Sequence, residues 1–86
     1  MLYAVYVLYS TKDENLYVGC TNNIKDRIKR HNNGYVKATK HRRPLFLAHT
    51  ETFQNKVYAF NRERFLKSLW GSREKNKIKE KFLETL

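Results

Sequence analysis

Five polar side chains stand where a plain fold would take something apolar: Tyr6, Tyr17, Arg27, His31 and Glu63. Two phenols, a guanidinium, an imidazole and a carboxylate can between them exchange protons, bind an anion and hold a cation. Taken singly, each has a structural role open to it. Arg27 and Glu63 could pair to close the core, His31 could be a satisfied hydrogen-bond partner, and the tyrosines could be sheet aromatics with one wet end. An unpaired charge buried on a helix costs several kcal/mol, so three helix-borne polar groups facing inward together demand an explanation.

The elements that must position them are legible. Leu2 to Tyr9 and Asn15 to Cys20 are two β-rich runs separated by the polar stretch Thr11-Lys12-Asp13-Glu14, which predicts a hairpin. Pairing Ser10 with Asn15 sets Tyr6 opposite Gly19 and Leu8 opposite Tyr17, so the two phenols become diagonal neighbours on one face, within about 8 Å. Gly19, lacking a side chain opposite Tyr6, leaves room for a ligand to approach the sheet. Thr21 or Asn22 can cap a helix over about 23–32, stopped by Gly34. Its stripe Ile24, Arg27, Ile28, His31 points toward the sheet, and Lys25, Asp26, Lys29 and Arg30 take the solvent side.

Pro44 to Phe53 reads as a third strand, with Leu45, Leu47 and His49 alternating against Phe46 and Ala48. A helix over about 55–70 follows, with Tyr58, Phe65 and Leu69 on one line and Ala59, Glu63, Leu66 and Trp70 on the next. Gly71-Ser72 breaks the chain, and Ser72 caps a last helix repeating Ile78, Phe82 and Leu86. The order β-β-α-β-α-α predicts an α+β fold: a small antiparallel three-stranded sheet flanked by helices. With 86 residues and no linker or repeat, residues 1–86 read as one domain.

Eighteen Lys and Arg against eight Asp and Glu give a net charge of +10. A polyanion partner accounts for such an excess better than a merely solubilising surface. The segment from Lys37 to Arg43 carries Lys37, Lys40, Arg42 and Arg43 with no acid, and Lys25, Lys29 and Arg30 add to it as the expected nucleic-acid-binding surface. The apolar run Leu2 to Tyr9 is far short of the roughly 20 residues that span a bilayer, and lacks a signal peptide's basic leader and cleavage site. Cys20 is the one cysteine, so no internal disulfide forms, and a cytoplasmic location is expected. The spacing of Cys20, His31, His41 and His49 matches no zinc finger or ribbon.

Together the tyrosine closing Ala4-Val5-Tyr6, the triplet Tyr17-Val18-Gly19, Arg27 with His31 one turn later, and Glu63 on a following helix resemble the GIY-YIG nuclease domain. The Arg43-Pro44 strand start and the Ala59-to-Glu63 spacing are similar to its small standalone branch. The resemblance implies hydrolysis of a phosphodiester, most readily in DNA, with one divalent ion, Mg²⁺ or Mn²⁺, held by Glu63. It implies that Arg27 carries the charge building on the phosphate, that Tyr6 and Tyr17 orient or deprotonate the attacking water, and that His31 is a further proton acceptor, directly or through Tyr6. A phenol needs a lowered pKa for that task, which Arg27 and the ion would supply.

Three departures stand out. Ala4 and Val5 replace the Gly and Ile of the family name, and Cys20 follows Gly19 where some relatives have a lysine. There is no room for the separate DNA-recognition domain of larger members, so low sequence specificity is expected, with branched, damaged or single-stranded DNA as candidate substrates. The competing readings are a non-catalytic nucleic-acid-binding module and a basic RNA-binding or ribosome-associated protein. Glu63 separates them from an enzyme, because an inward carboxylate repels phosphate unless a cation intervenes.

Overall fold

Tyr, Val and Leu in alternation make β1 from Tyr3–Ser10, and a second short run makes β2 from Leu16–Thr21, in a computed structural model that describes residues 2–86. Their hairpin register matches the expectation, with Tyr6 opposite Gly19 and Leu8 opposite Tyr17. The loop is closed by Ser10, whose amide donates to the Asn15 carbonyl at 3.0 Å and whose Oγ accepts from the amides of Lys12 and Asp13. Helix α1 covers Ile24–Asn32, β3 Leu45–Phe53, α2 Lys56–Lys67 and α3 Ser72–Leu83, with a 3₁₀ turn at Leu69–Gly71 between the last two. This is the α+β order β-β-α-β-α-α on a three-stranded antiparallel sheet.

The strand order is β2-β1-β3, so the first strand is the central one. Both its faces are covered. Val5 and Val7 pack with Val18, Ala59 and Leu66 under α2 and α3, while Tyr6 and Leu8 pack with Leu45 and with Ile24 and Ile28 of α1. Val5, Val7, Leu8 and Leu66 are wholly buried, each contributing about 1.5 to 3 kcal/mol relative to an exposed position.

Several local expectations are corrected. Asn23, not Thr21 or Asn22, caps α1, its side chain accepting from the Asp26 amide at 3.1 Å. The simple alternation expected in β3 is broken by a bulge: Val7 pairs with His49 but Leu8 with Leu47, so Ala48 is skipped. Leu47 therefore shares the α1 face with Leu8, and His49 lies on the opposite one. Helix α2 ends at Lys67 because Ser68 is extended (ψ 169°), its Oγ donating to the Phe65 carbonyl at 2.6 Å. Leu69 and Trp70 thus leave the helical line and stand 90% and 86% exposed. Ser72 makes no side-chain cap; it is the first residue of α3, and Leu86 lies beyond that helix. Among the described residues no helix is long and apolar enough to cross a membrane.

Candidate active site

Tyr6 sits mid-way along the central strand, and its ring lies across Gly19. A Cβ built on Gly19 would fall on the Tyr6 hydroxyl and Cζ, with Cε1 at 2.9 Å. The space read in the sequence as room for a ligand is filled by Tyr6 itself, which is 2% exposed. Its hydroxyl lies 2.9 Å from Nε2 of His31, whose Nδ1 lies 2.7 Å from Oγ1 of Thr39. His31 and Thr39 are also fully buried. The chain Tyr6–His31–Thr39 therefore ties the central strand to α1 and to the basic loop.

Burial, with the nearby Arg27 charge, lowers the His31 pKa to about 4, so the imidazole is neutral at neutral pH. A neutral ring has one N–H and one lone pair, giving two ways to satisfy both contacts. Only one lets His31 receive a proton from Tyr6: Nδ1–H donates to Thr39 and Nε2 accepts from the phenol. The phenol itself is pushed well above its ordinary pKa, first by burial and then by neighbouring Tyr17, with Glu63 and Cys20 adding to the rise. Arg27 pulls the other way and loses. Arg27 thus acts on this phenol in the expected direction, but without the ion desolvation outweighs one partly solvated cation.

Tyr17 shares the α1 face and is half-buried, its ring centroid 5.2 Å from that of His31. Arg27 is also half-buried, whereas Lys25, Asp26, Lys29 and Arg30 are exposed, as the helical stripe requires. Glu63 arrives from the other layer, on α2, one turn from Ala59 and from Leu66. Because β2 is an edge strand, α2 can reach around it: Lys67 Nζ lies 5.8 Å from the centroid of the Tyr17 ring and 3.1 Å from Oε2 of Glu63. The pairing of Glu63 with Arg27 is corrected: its partner is Lys67, and its side chain is 21% exposed, not buried. The Cys20 thiol is raised by burial and then by Glu63, which leaves it protonated and unsuited to nucleophilic work.

The basic residues divide. Lys25, Lys29, Arg30, Lys37 and Lys40 are exposed. Arg42 is drawn away from the expected binding surface, its Nε 2.5 Å from Asp13 Oδ2 and Nη2 donating to the Leu16 carbonyl at 3.3 Å, so it braces the hairpin. Arg43 is exposed and bonds the Lys40 carbonyl at 2.8 Å. Sequence reasoning missed Thr39 and Lys67. Only the second left a local signal, the Glu63–Lys67 spacing of four on one helix. It also missed Asn32, which accepts from the Leu45 amide and donates to the Leu45 carbonyl, setting the start of β3 against α1.

Among the described residues no three His, Cys, Asp or Glu side chains gather as a metal cage. A lone, part-exposed carboxylate fits Mg²⁺, which keeps most of its waters and needs one or two protein carboxylates. It does not fit a closed zinc site.

The chain matches the GIY-YIG catalytic domain over residues 2–79. It is 43% identical over 81 residues to a UPF0213 protein of Clostridium perfringens, covering 93% of this chain and 86% of that one. A UPF0213 protein of Natronomonas pharaonis is 47% identical over 66 residues, 76% of each chain. The solution NMR structure of a UPF0213 protein from Bacillus halodurans superimposes with a TM-score of 0.58 at 32% identity, covering 91% of this chain and 83% of that one.

Proposed function

Because the chain belongs to the GIY-YIG catalytic domain family, whose members are nucleases, we propose that it is a divalent-metal-dependent endonuclease of low sequence specificity acting in the cytoplasm on branched, damaged or single-stranded DNA. The observation that supports this reading is that Tyr6, bonded to His31, feels the charges of Arg27 from its own layer and of Glu63 from the other, with Tyr17 beside His31. Glu63 would hold Mg²⁺ or Mn²⁺, which neutralises phosphate charge when bound. Arg27 would fork onto the non-bridging oxygens, with a geometry lysine lacks.

Since burial keeps Tyr6 protonated, it serves best as a relay to His31, whose low basicity at rest would be offset when an anionic phosphate docks against Arg27. The attacking water gives a proton to the Tyr6 oxygen as the phenol's own proton passes to Nε2 of His31, and Tyr17 orients that water. The new P–O bond forms, the bond to the leaving sugar oxygen breaks, and that oxygen takes a proton from solvent. Thr39, accepting from Nδ1–H, holds the tautomer that makes Nε2 the acceptor.

A second reading has one observation in its favour. Lys67 neutralises Glu63, which removes the repulsion that made an inward carboxylate unhelpful to a non-catalytic nucleic-acid binder. Incubation with single-stranded, duplex, flapped and branched DNA and RNA, with and without Mg²⁺ or Mn²⁺, separates the two. Cleavage that needs the metal and disappears in Glu63→Gln supports the nuclease. A folded protein that binds these strands and cuts none is a binder.

A further inference from the structure

The corner between α2 and α3 carries the two large hydrophobic residues with the highest fractional exposure among the described residues. Leu69 is 90% and Trp70 86% exposed, and Phe65 beside them is 40% exposed. This is not a loose end. Gly71 is buried against the Phe65 carbonyl and the Leu66 Cα, which a Cβ would approach to 2.7 Å, so the backbone that presents Trp70 is pinned to the end of α2. Trp70 and Phe65 line a shallow groove of about 150 Å³ with Arg73, Glu74 and Lys77. Glu74 is engaged by Arg62, whose guanidinium also lies 5.6 Å from the Phe65 ring centroid, while Arg73 and Lys77 point to solvent.

Aromatic faces set among cations suit a nucleic-acid strand: bases stack on the rings and phosphates meet the charges. A protein partner fits less well, because the cores of protein interfaces are depleted in lysine and the chain carries a net charge of +10. The corner is also close to the candidate active site. Lys67, against Glu63 and over Tyr17, is three residues from Trp70, so the two Cα atoms are no more than about 11 Å apart. Phe65 and Lys67 are two residues apart on α2 and so lie on opposite sides of the helix; a strand stacked on Trp70 reaches Glu63 by passing around the end of α2.

In a duplex interior each base is covered by neighbours on both sides; an unpaired base has a face to offer. We propose that Trp70, with Leu69 and Phe65, forms a stacking platform for an unpaired nucleotide, directing the nuclease to single-stranded or flapped nucleic acid. This rests on the proposed function and narrows its substrate class.

Trp70 is the chain's one tryptophan and reports on itself. The full chain is titrated in EDTA with four fluorescently labelled probes: a single strand, a flapped duplex, a blunt duplex, and a single strand of the same length made of abasic sites. Tryptophan emission and label anisotropy are read together. The expected result is quenching by the first two probes only, with Trp70→Ala weakening them about 5- to 150-fold and leaving the blunt duplex and abasic strand unchanged. Trp70→Phe should retain most of the affinity. Binding by anisotropy without quenching, or equal losses on all four probes, overturns the platform and leaves the nuclease reading standing. No binding to any probe overturns both. A parent dimer that Trp70→Ala makes monomeric, with single-strand affinity intact, assigns the corner to self-association and overturns the platform.

Discussion

Gly19→Ala adds one methyl group at the place where the structure has least room for it. The new carbon falls on the Tyr6 hydroxyl and Cζ, so the ring must swing or the hairpin must part. Tyr6 is 2% exposed and bonded to His31 at 2.9 Å, so a swing breaks that bond and leaves Nε2 of a buried imidazole unsatisfied. Overpacking costs about 1 to 3 kcal/mol, and the orphaned polar groups about 1 to 3 more. The substitution should therefore destabilise by about 2 to 6 kcal/mol, a large share of the total for a chain of this size. Urea unfolding should show a lower midpoint at unchanged slope, and the thermal midpoint should fall by at least about 8 °C. In a Tyr6→Ala background, where the ring is gone, the same methyl should cost under about 0.5 kcal/mol, and that double-mutant cycle isolates the contact. If Gly19→Ala is as stable as the parent but binds nucleic acid poorly, the glycine serves a ligand and the packing argument is wrong.

Glu63→Gln should abolish metal-dependent cleavage with under about 0.5 kcal/mol lost in a thermal melt, because it gives up only a part-exposed i,i+4 pair with Lys67. A loss of 3 to 5 kcal/mol, expected of a severed buried ion pair, would contradict the observed pairing. Arg27→Lys keeps the charge and loses the fork, so single-turnover cleavage should slow at least about a hundredfold with binding little changed. The folded His31 pKa of about 4 lies below its unfolded value, so its contribution to stability is complete above about pH 6.5 and drains away as pH falls toward 4. That loss is on the order of 3 kcal/mol; a ring that titrates near 6.5 by NMR would overturn it. DNA affinity should fall with salt at a log-log slope near −0.9 per phosphate neutralised, and a flat response would refute electrostatic binding.

The sequence was most readable where local geometry decides. A short polar loop sets hairpin register, so Tyr6 opposite Gly19 and the shared face of Tyr6 and Tyr17 followed directly. Helical spacing likewise turned Arg27 and His31 inward and Lys29 and Arg30 outward. What escaped depends on distant contacts. Nothing in Arg42 announces that Asp13, across the fold, will claim it, and nothing in Gly19 tells a glycine that admits a ligand from one that admits a neighbour's ring. The early end of α2 turns on Ser68 adopting extended backbone, a choice that packing of Gly71 against Leu66 reinforces and helical periodicity ignores.

The first strand made is the middle of the sheet, and this orders events in time. Its pairing with β3 joins Tyr3 to Phe53 and Ser10 to Leu45, closures over tens of residues that no early hairpin can anticipate. Glu63 comes later still, on α2. As the chain emerges from the ribosome, the Tyr6–Tyr17 hairpin can form long before the carboxylate exists to complete the site. Under the proposed function, the candidate site would thus be completed in one step, late in synthesis.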